Sequence, residues 1–284
     1  MRLLVTGAGG MLGQDVVRVA EANGDEVIAL ARGDLDVTDE RAVAAALSDE
    51  HVDAVVNCAA WTDVDGAESD PDGAHEVNAV GAEHVANAAA HAGARLVHVS
   101  TDYVFDGDRS ADDPAYVESD VPGPRSVYGA SKLAGEEAVT AAGGSHAIVR
   151  ASWLFGVGGR NFVATMLALG EERDEVTVVD DQSGCPTATA HLAPALLALA
   201  RDADAQGIFH VAGAGRCSWH DLAVETFRQA GISCRVLPCT TAEMPRPAPR
   251  PAFSALESER DDAPLLPPWQ EGLTTYLAQR GVHA

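Results

Sequence analysis

Arg2-Leu3-Leu4-Val5-Thr6-Gly7-Ala8-Gly9-Gly10-Met11-Leu12-Gly13 opens the chain, and its reading decides the fold. The apolar run at residues 2–6 predicts a buried strand, the glycines a turn, and the segment from about Met11 to Ala22 a helix. A glycine-rich turn between a first strand and a first helix is the arrangement that receives a dinucleotide pyrophosphate. Gly7 permits the tight turn, Gly10 lets the backbone approach the phosphates, and Gly13 lets the helix pack closely on the sheet. Met11 and Leu12 stand at the helix start, where unpaired N–H groups and the positive dipole end favour an anion. These five residues are the expected pyrophosphate site.

Outward from this turn, strand and helix patterns alternate. Strands are expected at residues 26–30, 54–57, 96–100 and 147–150, with helices at 40–47, 73–91 and 128–141 between them. Such alternation implies an α/β fold: a doubly wound parallel (Rossmann) sheet with helices on both faces. The second half is less regular. Helices are expected near 162–169, 191–201, 219–230 and 269–279, and strands at 176–179 and 208–211. The segment 191–211 reads as an addition to the main sheet. Pro at every second position from 245 to 251 requires an extended loop. The expected division assigns residues 1–150 and about 186–211 to a dinucleotide-binding domain. Residues 151–185 and 212–284 then form a smaller C-terminal substrate-binding lobe.

The end of the second expected strand bears on which nicotinamide cofactor binds. An acidic side chain there would accept from the ribose hydroxyls, whereas arginine accommodates a 2′-phosphate. Arg32 follows the strand, with Asp36 and Val37 just beyond. Arg32 favours NADP over NAD; an exposed surface arginine is the bland alternative. Asp36 and Val37 suit an adenine, a carboxylate for the exocyclic amine beside an apolar contact. After the third strand, Ala59 and Ala60 are small enough to leave room for the cofactor.

The chain has a single lysine, Lys132, beside eighteen arginines, and it lies in Tyr128-Gly129-Ala130-Ser131-Lys132. Residues four apart share a helix face. An ammonium so placed is expected to lower the phenol pKa and leave the hydroxyl as a proton donor. The fourth expected strand ends in Ser100-Thr101-Asp102-Tyr103. Strand C-termini in such sheets face the ligand crevice, so Thr101 is expected to join Tyr128 there.

With the glycine turn, the Tyr-xxx-Lys spacing and Thr101, the chain resembles the extended short-chain dehydrogenase/reductases over essentially its whole length. Within them, six segments in order resemble the dTDP-4-dehydrorhamnose reductase family. They are residues 56–65, 100–107, 128–136, 150–156, 179–187 and 250–256. The resemblance implies an NADPH-dependent (NADH is possible) reduction of the C4 ketone of a dTDP-4-keto-6-deoxy sugar, giving dTDP-L-rhamnose. It implies Tyr128 as proton donor, Lys132 on the cofactor ribose and Thr101 at the carbonyl oxygen. Thr62 joins the cofactor-binding residues, and Val64, Asp102, Tyr103 and Trp153 match positions lining the sugar site. Core packing for Val64, sheet capping for Trp153 and a turn role for Asp102 are the bland alternatives.

Cys58 and Trp61 depart from the usual pattern, and Asp63 adds a carboxylate near an anionic substrate. Arg246 and Arg250 could face the diphosphate or balance nearby carboxylates. The segment 181–187 is expected to be a turn positioning the second lobe, with a loop touching the nucleotide as the alternative. Asp102 is followed by Tyr103, where sugar-nucleotide dehydratases need a glutamate, which argues against dehydration. The alternatives are a reductase or epimerase of another nucleotide sugar, and a non-catalytic regulatory subunit like the methionine adenosyltransferase β subunit.

Asp plus Glu number 43 against 19 Lys plus Arg, a net charge of −24. Nucleic acid and anionic membranes are repelled by such a balance and are not expected partners. Carboxylates scattered among regular apolar segments read as a halophile's surface, with self-repulsion screened by salt; genome bias towards arginine adds to the pattern. Five cysteines without a paired spacing read as free thiols in a reducing cytosol. No signal-like segment precedes the first strand and no apolar run is long enough to span a membrane, so a cytoplasmic protein is expected. The ten histidines show no metal spacing; the resemblance extends to members that use a carboxylate-bound Mg²⁺ at a dimer contact, and no residues of this chain are assigned to a metal. A homodimer is compatible with the family resemblance.

Overall fold

The computed structural model describes residues 1–48, 51–110 and 112–282, so the last two residues of the expected 212–284 segment lie outside the described residues. In chain order the first half contains β1 (Arg2–Thr6), α1 (Met11–Ala22), β2 (Glu26–Leu30), α2 (Glu40–Ser48) and β3 (Ala54–Asn57). Then come α3 (Val64–Ser69), α4 (Pro71–His75), α5 (Gly81–Ala92), β4 (Arg95–Thr101), α6 (Val127–Ala141) and β5 (His146–Ala151). The second half adds β6 (Leu154–Phe155), α7 (Phe162–Glu172), β7 (Glu175–Val179), β8 (Ser183–Gly184), β9 (Thr187–Ala188), α8 (Thr189–Arg201) and β10 (Gly207–His210). The chain closes with β11 (Cys217–Ser218), α9 (Trp219–Ala230), β12 (Arg235–Cys239) and α10 (Trp269–Gln279).

Six strands form one parallel sheet in the order β10-β5-β4-β3-β1-β2. The inner strands are apolar on both sides because both faces are covered. Leu3, Val5, Val56, Val97 and Val149 pack with Val16 of α1 and Leu192 and Leu196 of α8. The alternate residues Leu4, Val55, Leu96 and Ile148 pack with Val43 of α2, Val85 of α5 and Val139 of α6. The fold is therefore the expected doubly wound α/β sheet. From β1 the chain passes to β2 on one side and then to β3 on the other. This reversal opens a crevice at the C-terminal ends of β1 and β3, directly beyond Gly7.

Two parts of the sequence reading are corrected. The single helix expected over 73–91 is α4, a π-helical turn at Glu76–Val80 and α5 in succession. One extra residue in a turn leaves alanine-rich periodicity almost unchanged, so the pattern does not reveal it. The strand β12, parallel to β7, was not expected either; its Pro238 falls in an edge position that tolerates it. The segment 181–187 is a tie between layers as well as a turn. β8 pairs with β11, β9 pairs with β6, and the Asp181 carboxylate accepts from the Thr241 N–H at 2.9 Å. No helix of the described residues is long and apolar enough to cross a membrane.

Candidate active site

Gly7 has φ +64, and a Cβ there would stand 2.6 Å from the Ala59 nitrogen and 2.7 Å from the Cys58 carbonyl carbon. Only glycine serves both demands. Gly13 packs so closely on the Gly7 carbonyl and Ala8 that it too has no room for a side chain. Gly10 is the N-cap of α1 and offers no side-chain cap, so the first turn keeps its N–H groups free for a ligand. Met11 lies against Gly159 and near Asn161 Nδ2 (3.5 Å), and Gln14 Nε2 donates to the Gly9 carbonyl at 2.8 Å. A glycine cradle, an uncapped helix start and the small Ala59 and Ala60 beside it fit a dinucleotide pyrophosphate.

Arg32 is exposed beyond β2 and draws Asp36 below the ordinary carboxylate range, after the larger effect of hydrogen bonds from Thr38. The Asp36 Oδ1 accepts from the Thr38 N–H at 3.0 Å and its hydroxyl at 2.9 Å. Val37 is 6% exposed and packs on Gly81, so its side chain belongs mainly to the core under α5.

At the sheet's C-terminal edge, Ser126 caps α6 through the Gly129 N–H at 3.0 Å and so sets Tyr128 in the first turn. Tyr128 meets Tyr103 edge to face, with ring centroids 5.6 Å apart. Burial pushes the Tyr128 phenol up to about 12, while the adjacent Thr101 hydroxyl pulls it down and Asp102 adds to the rise. The expected lowering by Lys132 is not seen. The Lys132 Nζ donates to the Val99 carbonyl on β4 at 2.7 Å, and burial lowers its own pKa to about 8. The two side chains share a helix face, but the ammonium turns to the sheet.

The residues expected at the sugar site separate into two kinds. Tyr103 is half-buried beside Tyr128, its phenol raised by burial. Val64 is the half-buried first residue of α3, whose cap is Asp63 (Gly66 N–H to Oδ1, 2.9 Å). Thr62 is exposed on the loop before it. Asp102, in contrast, is 2% exposed and faces inward, bonded to the hydroxyls of Thr101 and Ser152. Trp153 has φ +48, rare for a non-glycine residue, and stacks on Trp219 at 3.6 Å. Gly184 leaves room for its indole. Arg250 and Arg246 both pair with Asp65, at 3.0 and 3.8 Å, which pins the proline-rich loop to α3.

Sequence reasoning passed over several residues that shape this crevice. Glu136 and Arg150 pair behind Lys132 with both side chains buried. Asn78, placed by the π-helical turn, receives the Trp61 N–H at 2.8 Å and donates to Ser131 at 2.9 Å. Glu136, one turn beyond Lys132, carried the only readable signal. Asp180, His220 and Asp221 bring three potential metal-ligand atoms within 4.8 Å of one another. Both carboxylates are exposed, and Ser218 already donates to Asp180 at 2.6 Å.

The family described as RmlD substrate binding domain matches residues 1–281. The chain is 46% identical over 284 residues to a dTDP-4-dehydrorhamnose reductase from Mycobacterium tuberculosis, covering 98% of this chain and 92% of that protein. A crystal structure of a dTDP-4-dehydrorhamnose reductase from Clostridium acetobutylicum superposes with a TM-score of 0.94 at 42% identity, over 99% of this chain and 100% of that one. The Bacillus anthracis enzyme of that name, solved in complex with NADP, gives 0.94 at 38% identity over 98% and 99%. With the glycine cradle and the Thr101, Tyr128 and Lys132 cluster at the switch of the same sheet, the chain belongs to the RmlD substrate binding domain family.

Proposed function

We propose that this protein is an NADPH-dependent oxidoreductase that reduces the C4 ketone of dTDP-4-dehydro-6-deoxy-L-mannose to dTDP-L-rhamnose. The observation that carries this is the convergence of Thr101, Tyr128 and Lys132 beside an uncapped glycine turn, in a chain whose relatives bear that reductase name. Bound NADPH supplies the hydride. Gly7, Gly10, Met11, Leu12 and Gly13 hold the pyrophosphate, and Arg32 takes the 2′-phosphate. Asp36, Val37, Ala59, Ala60 and Thr62 line the nucleoside.

Tyr128, its phenol held near 12, is neutral at pH 7 and keeps the proton that passes to the developing O4 alkoxide. Thr101 stands beside Tyr128 at the same oxygen and donates to it when its proton is not held by Asp102. Lys132, held by the Val99 carbonyl, offers its remaining N–H groups to the cofactor ribose. Val64, Tyr103 and Trp153 line the sugar, with residues 151–185 and 212–284 as the lobe that carries it. The acidic surface suits a cytoplasmic enzyme working in concentrated salt.

The test is oxidation of NADPH on adding the dTDP-4-keto-6-deoxy sugar in concentrated KCl, with the product identified. Tyr128→Phe should lose roughly 10²–10⁴-fold in kcat while still binding NADPH. Undiminished turnover by that variant would remove Tyr128 from the reaction. Folded, NADPH-binding protein inert towards the sugar would overturn the substrate assignment.

A further inference from the structure

Asp102 opens the turn after β4 and has almost no contact with solvent. Its Oδ1 accepts from the Thr101 hydroxyl and its Oδ2 from the Ser152 hydroxyl, each at 3.1 Å. The Ser254 hydroxyl stands beside the same carboxyl. Ser152 is itself fully buried and its oxygen accepts from the Cys185 N–H at 3.3 Å, which leaves its proton directed at Asp102. The Thr101 oxygen accepts from the Tyr103 N–H at 3.2 Å. A threonine hydroxyl has only one proton to give. At position 101 that proton has two claimants, Asp102 behind it and the crevice beside Tyr128 in front.

We propose that Asp102 is a positioning residue whose protonation state decides whether Thr101 gives its proton to Asp102 or to the reacting carbonyl oxygen. The proposal rests on the reductase reading above. An ionised carboxylate is an acceptor only, so it holds the Thr101 proton. Its charge also opposes the negative charge that Tyr128 acquires on giving up a proton, in keeping with the raised phenol. Protonated on Oδ1, Asp102 becomes the donor to the Thr101 oxygen, which frees the Thr101 proton for the crevice, and the loss of its charge removes that opposition. Both effects have the same sign, so reduction is favoured when Asp102 is neutral.

Burial is the main reason that the Asp102 pKa rises, to about 6, against the pull of the surrounding hydroxyls. The titratable groups facing it are Tyr103 on its own turn, Tyr128 on α6 and Cys185 before β9. Burial raises all three, so they stay neutral at that pH. Among the described residues no ammonium or guanidinium is a cause of the Asp102 shift.

Two measurements test this. In the protein without substrate, the Asp102 carboxyl carbon is followed by ¹³C NMR and assigned by its absence from Asp102→Asn. The expected midpoint is about 6; a midpoint in the ordinary aspartate range near ~3.9 overturns the proposal. In turnover with saturating NADPH and sugar, kcat should fall about tenfold between roughly pH 5 and 7, as for loss of a hydrogen bond to a developing charge. Asp102→Asn should flatten that fall. Ser152→Ala should move it to higher pH, because a donor to the carboxylate is lost, and it carries the test if the Asn variant does not fold. A fall unchanged in both variants belongs to another group, such as the NADPH phosphate that titrates near ~6, and overturns the proposal. If the unaltered protein does not turn over the sugar at all, the reductase reading fails first and the proposal with it.

Discussion

The Arg150 guanidinium grips the Glu136 carboxylate with Nη2 at 2.6 Å and Nε at 2.9 Å, and both side chains are sealed from solvent. Ser100 on β4 donates to the same carboxylate. One buried pair thus ties α6, β4 and β5 together at the level of Lys132 and Thr101. A pair of this kind adds little net stability over an apolar substitute, but breaking it is expensive.

Glu136→Gln should therefore destabilise the protein by about 3–5 kcal/mol, because Arg150 is left buried without its counter-charge. Urea unfolding at fixed KCl concentration measures this. A loss below about 1 kcal/mol, the range of an exposed pair, would show that the pair is not sealed as described.

Lys132 carries a linkage of definite sign. Burial lowers its pKa from 10.5 to about 8, although Glu136 raises it. Between those values the unfolded chain binds a proton that the folded chain does not, so stability rises with pH across that window. Below it the penalty of the buried ammonium is present in full. Lys132→Met should be the more stable protein at pH 7, and the gap should narrow by pH 10.5. Activity of the unaltered enzyme should run the other way and decline above about pH 8, as the ammonium is lost. Equal stability of the two proteins at pH 7 would contradict the burial argument.

Gly7→Ala and Gly24→Ala both place a side chain at positive φ, +64 and +80. Nothing lies within 4 Å of a Cβ at Gly24, whereas at Gly7 the backbone of Cys58 and Ala59 is already in the way. Gly24→Ala should cost only about 1–2 kcal/mol, the price of the left-handed conformation. Gly7→Ala should cost more and abolish NADPH binding, as read by titration calorimetry. NADPH affinity surviving in Gly7→Ala would place the cofactor elsewhere.

Arg32→Ser tests the assignment of the 2′-phosphate. NADPH should bind about tenfold more weakly, the worth of a lost charged hydrogen bond, while NADH binding stays unchanged. A parallel loss for both cofactors would mean that Arg32 acts only on the shape of the loop.

Much of this architecture is legible in the chain. Strands β1 and β3 and helices α1, α9 and α10 fall where periodicity and caps put them, because long apolar patterns are local signals. The glycine turn, Thr101, Tyr128 and Lys132 are also visible as residue types in order. Partners are not. That Asp102 faces inward, that Lys132 meets Val99, and that Arg250 is engaged by Asp65 depend on segments brought together from far apart in the chain.

The sequence by itself determined the doubly wound sheet, because each strand and helix writes its own period into the residues and the parallel connections allow few arrangements. It also determined the positions of the Thr101 and Tyr128 hydroxyls, which follow from a strand end and a helix cap. Only the tertiary structure decided how those groups ionise. The Tyr128 phenol is raised and not lowered, Lys132 falls to about 8 and Asp102 rises to about 6. A pKa is set by desolvation and by the neighbours that enclose a group, and neither exists until the chain has folded.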